Sequence, residues 1–118
     1  MSQLRDLLTD FVRVEGVNAA VVISRDGFVI EGETNGCDLD HEAVGAVVSI
    51  GMGSSAVMAN ELHVGDIVQT MFECAKGIIV VTFLGANALL ALVSDASANI
   101  GNLRYQLKKR IPAIEAAL

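Results

Sequence analysis

The chain contains one glycine-rich stretch with the spacing of a phosphate-binding loop, Gly51-Met52-Gly53-Ser54-Ser55-Ala56. It fits the G-x-G-x-x-A pattern, in which glycines form a tight turn and let a pyrophosphate approach the N-terminus of a helix. Ala46–Ile50 is apolar enough to be the strand that must precede such a motif. Small residues at this spacing also suit a helix that packs closely on another backbone. Two interpretations therefore stay open, a small nucleotide-binding or redox domain that uses Gly51–Ala56 and a packed helix.

Side chains of the kinds that ligate metals occur close together slightly earlier, at Asp38, Asp40, His41 and Glu42. A catalytic metal site usually has three protein ligands that converge on one point and are held by an outer shell of hydrogen bonds. Residues that are nearly consecutive diverge when they lie on a helix. This group is therefore better interpreted as the solvated acidic first turn of a helix, and we predict neither a metal nor a cofactor.

Nucleophilic or redox chemistry has little support in the sequence. Cys37 and Cys74 lack the Cys-x-x-Cys spacing of redox and zinc sites, so two reduced thiols are expected. Serines are plentiful, but none lies in a G-x-S-x-G nucleophile elbow. We therefore predict no catalytic residues and a protein that is not an enzyme in its own right.

Length and composition indicate a single cytoplasmic domain over residues 1–118. The chain is 53% apolar with a formal net charge of −6, which excludes disorder and disfavours binding to nucleic acid. The longest apolar run, near Gly77–Leu84, is far shorter than the ~20 residues of a membrane helix, and the N-terminus lacks the apolar segment of a signal peptide. We expect no membrane insertion. Such an apolar surplus in a small domain suggests that part of it faces a partner.

The charges are distributed unevenly along the chain. Residues 1–75 hold 12 acidic residues against 3 basic ones, whereas residues 76–118 hold 5 basic residues against 2 acidic ones. Lys108-Lys109-Arg110 would suit an acidic partner, and Glu31–Glu42 would suit a basic one. Solvated faces without any partner are the favoured interpretation of both clusters.

Hydrophobic periodicity and turn residues predict eight elements. Ser2 is the expected N-cap of the first helix and Gly16 its stop, while Asp26-Gly27 is a hairpin signal between two apolar runs. Pro112 is expected to kink or restart the last helix. The predicted elements are a helix over Leu4–Val12, strands over Val17–Ser24 and Phe28–Glu33, a helix from Asp38 to Leu62, strands over Ile67–Phe72, Ile78–Phe83 and Ala88–Val93, and a helix from Ile100 past Ile111 that is capped within Ser94–Ser97.

The middle helix is unusual because apolar residues occupy two of its sides. One stripe contains Val47, Ile50 and Val57, and the other contains Val44, Val48 and Met58. Glycines within a helix each cost up to about 1 kcal/mol relative to alanine, and this helix has three. A helix with these features is expected to pack against two different surfaces.

Three stretches together resemble the Roadblock/dynein light-chain family. They are the strand–Asp-Gly–strand hairpin over Ala19–Ile30, the small-residue helix over Leu39–Leu62, and the two buried strands over Gly77–Leu92 with the following Ser94–Arg104. Their order and spacing carry the resemblance, which covers nearly the whole chain.

This resemblance implies an α+β fold of order α-β-β-α-β-β-β-α. Its five-stranded antiparallel sheet would carry the middle helix on one face and the terminal helices on the other. It also implies a non-catalytic module that forms a homodimer and regulates or scaffolds a small Ras-like GTPase. Some prokaryotic members regulate gliding-motility and polarity GTPases. The strand after the middle helix would pair with its symmetry mate, and the two middle helices would pack together. The expected interface residues are Val44, Val48, Gly51, Ser55, Met58, Ile67, Val68, Gln69 and Met71.

Overall fold

A computed structural model describes residues 3–36 and 38–118 and contains all eight predicted elements in the predicted order. The roles expected for Ser2 and Cys37 fall outside the described residues. The elements are α1 (Gln3–Val12), β1 (Val17–Ser24), β2 (Val29–Thr34), α2 (His41–Glu61), β3 (Gln69–Cys74), β4 (Gly77–Leu84), β5 (Ala88–Asp95) and α3 (Ile100–Ala117).

The five strands form one antiparallel sheet in the order β2-β1-β5-β4-β3. The two edges of the sheet are therefore β2 and β3. The β2 edge carries Glu31 and Glu33, and Arg5 of α1 donates a hydrogen bond from Nε to Glu33 Oε1 at 2.8 Å. Charged side chains of this kind guard an exposed edge against pairing with another strand.

Each face of the sheet has its own apolar core, which confirms the predicted layers. Leu8 and Phe11 of α1 and Leu103 and Leu107 of α3 pack on one face with the alternate residues of the strands. A smaller core on the other face includes Val44 and Met52 of α2. The α1/α3 side is thus well filled, whereas the α2 side buries few helical side chains.

The middle of the chain differs from the prediction at two boundaries. The N-cap of α2 is Asp40 and not Asp38, because Asp40 Oδ1 accepts a hydrogen bond from the Glu42 N–H at 3.0 Å. β3 begins at Gln69 and not at Ile67, since the regular ladder with β4 runs from Gln69–Thr82 to Cys74–Gly77. Before it, Ile67 packs on the core on the α2 side.

The last helix also differs at its start and in its middle. Asn99 is its N-cap and accepts a hydrogen bond from the Asn102 N–H at 2.9 Å, while Asp95 instead accepts two hydrogen bonds from Ser97. Pro112 neither ends nor restarts α3, which continues to Ala117. Pro112 lies on the exposed side of the helix, where water can bond the carbonyl group that a proline leaves without its N–H partner.

One described helix is long and apolar enough to cross a membrane by length and composition alone. It is α2, of which 22% of the tested window is buried. A helix that packs between two apolar surfaces has the same composition. α2 covers the sheet with one side. Its other side is also apolar and is exposed in the protomer.

Candidate functional site

The structure contradicts the interpretation of Gly51–Ala56 as a phosphate-binding loop. All six residues lie inside α2, which begins ten residues earlier at His41. Their N–H groups are therefore used by the helix itself, and no strand leads into the motif. A Cβ added at Gly51 or Gly53 would meet nothing within 4 Å. These glycines leave open space along α2, which is where a second backbone can approach.

Two of the acidic residues near the start of α2 have roles in the helix itself. Asp40 caps the helix, Glu42 lies in its first turn, and Asp38 is exposed before it. The ring of His41 lies against Gly32 of β2, so that a Cβ at Gly32 would lie 2.7 Å from His41 Nδ1. Within residues 3–36 and 38–118, no three His, Cys, Asp or Glu side chains come together in a way that could hold a metal ion.

The outer side of α2 presents large apolar side chains to solvent. Ile50 is 73% exposed, Val47 65% and Val57 63%. The sheet-facing side contains Val44, which is 8% exposed. Leu62, Val64 and Val68, which follow along the chain, are exposed as well. Isolated exposed apolar residues are ordinary, but a contiguous row of this kind marks an interaction surface.

The β3 edge adjoins this row and lacks the protection found at β2. β3 pairs only with β4. The Phe83 N–H donates to the Val68 carbonyl at 3.2 Å, which fixes the alternation of the ladder. Thr70 and Phe72 therefore direct their N–H and C=O groups to β4, whereas those of Gln69 and Met71 point to the open side. No lysine or proline interrupts β3 to block the pairing of another strand.

An apolar groove joins the helix and the edge strand. Its volume is about 200 Å³, and its walls come from both α2 and the outer strands. Phe72 of β3 is 40% exposed in this groove, because α2 does not cover the sheet as far as its edge. The residues that line it are Val47, Val48, Gly51, Met52, Phe72, Ile79 and Val81. We call the exposed row, this groove and the β3 edge together the α2/β3 surface.

The structure distributes the nine expected interface residues between this surface and the core. Met58 and Val68 are 59% and 77% exposed, and Gln69 is also exposed. Gly51 and Ser55 are half-buried, with Ser55 Oγ donating to the Gly51 carbonyl at 2.9 Å.

Four of the nine pack wholly or partly inside the protomer, and one of these four, Val48, also lines the groove. Val44 is buried against the sheet, Val48 and Ile67 pack partly on the same core, and the side chain of Met71 packs on the opposite core beneath α1 and α3. Val44 is enclosed by its own sheet and therefore has little surface left for a partner. Val47, Ile50 and Phe72 were not among the nine, but their side chains are exposed. The other apolar stripe of α2 was the signal for the first two.

A comparison with known protein families decides the identity of the fold. Residues 4–94 match the model of the Roadblock/LC7 domain, which covers the sheet and the first two helices. The chain belongs to the Roadblock/LC7 family. The last helix of the chain, α3, lies beyond the matched residues.

Individual relatives agree with this assignment. An uncharacterized protein of Methanocaldococcus jannaschii is 31% identical over 110 residues, which are 93% of this Roadblock/LC7 domain and 95% of that protein. A Roadblock/LC7 domain of Streptomyces avermitilis is 31% identical with a TM-score of 0.71, covering 97% of this chain and 100% of that one. A structure described as MglB with a tetrameric arrangement has a TM-score of 0.90 at 20% identity, covering 98% of this chain and 87% of that one. At that identity, the likeness to MglB is one of fold.

Proposed function

We propose that this Roadblock/LC7 domain is a non-catalytic homodimeric module that binds a small Ras-like GTPase and regulates or scaffolds it. The observation that carries the proposal is the α2/β3 surface, where apolar side chains and an open strand edge adjoin each other. The GTPase as partner follows from the family resemblance. Such a partner implies that the module acts in the cytoplasm.

The dimer we propose pairs β3 with the β3 of a second copy in antiparallel orientation. The N–H and C=O groups of Gln69 and Met71 point to the open side, so a two-fold axis near Thr70 would bring those of Gln69 opposite those of Met71 in the second copy. Two five-stranded sheets would then become one continuous sheet. The pairing would also remove the open edge, which otherwise invites aggregation.

The same two-fold axis would bring the two α2 helices together above the joined sheet. Val47, Ile50 and Val57 would then lie between the helices, and Phe72 would be covered in its groove. The open space beside Gly51 would let the helix backbones approach closely. Burying apolar surface contributes roughly 25 cal/mol per Å² of area removed from water, which makes this row the principal source of dimer stability. The MglB structure described as tetrameric supports the idea that this fold self-associates.

A symmetric dimer offers a GTPase one composite surface made of two chains. Regulation requires different affinities for the GTP and GDP forms, because a ligand that binds both equally shifts no equilibrium. The module would act by binding, without supplying a hydrolytic residue of its own.

The test is a titration of this protein into a purified Ras-like GTPase loaded with GDP or with a non-hydrolysable GTP analogue. We expect tighter binding to one nucleotide form and weaker binding by a monomeric variant of this domain. Absence of binding to both forms, with unchanged hydrolysis and exchange rates, would contradict the GTPase part of the proposal and leave the dimer untouched.

A further inference from the structure

The outer side of α3 carries an excess of positive charge in an otherwise acidic protein. α3 holds four of the chain's 8 basic residues and one of its 14 acidic residues, Glu115. The remainder of the chain has 13 acidic residues against four basic ones. The four cations, Arg104, Lys108, Lys109 and Arg110, lie within two turns of the helix.

These cations are not neutralised by the protein itself. None of the four has an acidic residue three or four positions away on the helix, and Arg104 and Lys108 form a like-charge i,i+4 pair that works against the helix. The two ion pairs in the described part of the chain, Arg5–Glu33 and Arg13–Asp10, do not involve α3.

One of the four cations is directed inward and three remain available. The Arg110 guanidinium lies 5.5 Å from the centre of the Phe11 ring, and its Nε donates to Gln106 Oε1 at 3.0 Å. Arg104, Lys108 and Lys109 are exposed. Tyr105 lies among them, 60% exposed, with Lys109 Nζ 6.0 Å from the centre of its ring.

We propose that Arg104, Tyr105, Lys108 and Lys109 form a docking surface for an acidic segment of a partner protein. Carboxylates of such a segment would pair with the three cations, and an apolar residue would contact the Tyr105 ring. Exposed ion pairs are individually weak, so the affinity would come from several pairs acting together and would decrease with added salt.

The position of this surface in the fold makes it independent of the proposed dimer. α3 packs on the face of the sheet opposite α2, so the α3 surface stays accessible when the α2/β3 surface is covered. The domain would then hold its second copy through the α2/β3 surface and an acidic protein segment through α3. In a dimer, two such surfaces would act together and raise the apparent affinity for a partner with two acidic segments.

An acidic protein segment fits the α3 surface better than an anionic membrane does. The apolar side chains of α3 point into the core, with Leu103, Leu107 and Ile114 buried, so Tyr105 is the one large apolar contact among the four proposed residues. Membrane-surface helices have a broad apolar face instead. The acidic remainder of the chain would also be repelled by a negatively charged bilayer.

The experiment uses fluorescence anisotropy with a labelled peptide of about 15 residues built from Glu, Ala and Leu with one Phe, long enough to span the helix face. The test variant is Arg104→Glu/Lys108→Glu. The control is Arg13→Glu/Lys76→Glu, which changes the net charge equally but lies off α3. Light scattering on every protein checks that the oligomeric state is unchanged, which separates this test from the dimer proposal.

We expect the wild type and the control to bind the peptide, and the test variant to bind about tenfold more weakly. Raising the salt from about 50 mM to about 300 mM should weaken wild-type binding by a similar factor. Equal losses in both variants would overturn the proposal, since total charge would then explain the binding. It would also be overturned by a wild type that binds no peptide, or by one that binds phosphatidylserine vesicles in its place.

Discussion

Gly45 of α2 lies directly against the carbonyl oxygen of Gly27 in the β1–β2 turn. A Cβ added at Gly45 would come within 2.7 Å of that oxygen. The contact fixes how α2 sits on the sheet, because the first half of the helix rests on this turn. Ser49 Oγ strengthens it by donating to the Arg25 carbonyl at 3.3 Å. The rotation of α2 that follows directs Val44 inward and Ile50 outward.

The first prediction concerns this contact. Gly45→Ala should lower the free energy of unfolding by about 1–3 kcal/mol, since the turn must move to admit a methyl group. Gly53→Ala is the matched control for protomer stability, because within the protomer its added Cβ meets only open space. There alanine should stabilise the helix by about 0.5–1 kcal/mol. Urea denaturation at two protein concentrations separates protomer stability from dimer stability. Equal destabilisation by both substitutions would show that the close contact between Gly45 and Gly27 does not matter for stability.

The second prediction tests the outer side of α2. Ile50→Asp should convert the dimer to a folded monomer, because a carboxylate buried without a partner in the interface costs several kcal/mol. In the protomer Ile50 is 73% exposed, so the fold itself should persist. Phe28→Asp is the control, since Phe28 is similarly exposed but lies near the β1–β2 turn. Sedimentation velocity and circular dichroism measure mass and fold. An Ile50→Asp protein that stays dimeric would contradict the proposed interface.

The third prediction tests the open edge of β3. Gln69→Pro should weaken the dimer with a small effect on the protomer, because the lost N–H points away from β4 and proline is tolerated on edge strands. Thr70→Pro should instead destabilise the protomer by about 1–3 kcal/mol, since that N–H belongs to the ladder with β4 and its loss leaves a carbonyl of β4 without a partner. Thermal melting and gel filtration of both variants distinguish the two effects. If Gln69→Pro destabilised the protomer and Thr70→Pro weakened only the dimer, the assignment of which N–H groups face β4 would be wrong.

The fourth prediction concerns acid stability at the end of β5. Hydrogen bonds from the Ser97 hydroxyl and N–H lower the pKa of Asp95 below its ordinary value. A carboxyl group whose native pKa is lowered contributes stability above its unfolded pKa, about 3.9, and loses it as the pH falls through the native pKa.

Asp95→Asn should therefore reduce the acid-induced loss of stability below about pH 4 while leaving the neutral-pH fold intact. Melting temperatures of the wild type and variant from neutral to acidic pH provide the measurement. If the melting temperatures of the two proteins fall in parallel as the pH is lowered, Asp95 plays no part in acid sensitivity.

The order of elements was predictable because local patterns agree with the fold. The β-branched apolar run of β1, the Asp26-Gly27 turn and the continuous apolar runs of β4 and β5 each indicate one structure. The rotation of α2 was not predictable, since Val44 and Val48 on one stripe are as apolar as Val47 and Ile50 on the other. Long-range contacts, among them that between Gly45 and Gly27, fix which stripe meets the sheet.

The start of β3 could not be predicted from the sequence either. Ile67 and Val68 have strong strand propensity, but they lie between the left-handed Gly65, with φ +88°, and the regular ladder with β4. Tertiary packing of Ile67 on the core overrides local propensity there. Gly51–Ala56 likewise matches the pattern of a phosphate-binding loop. It cannot act as one, because it lies inside the long helix α2.

The most direct test of the central claim is the mass of the wild-type protein in solution, measured by multi-angle light scattering across micromolar concentrations. The α2/β3 surface predicts a mass of twice 12.4 kDa, with that dimer lost in Ile50→Asp and retained in Phe28→Asp. A wild-type mass of 12.4 kDa throughout this range would contradict the account.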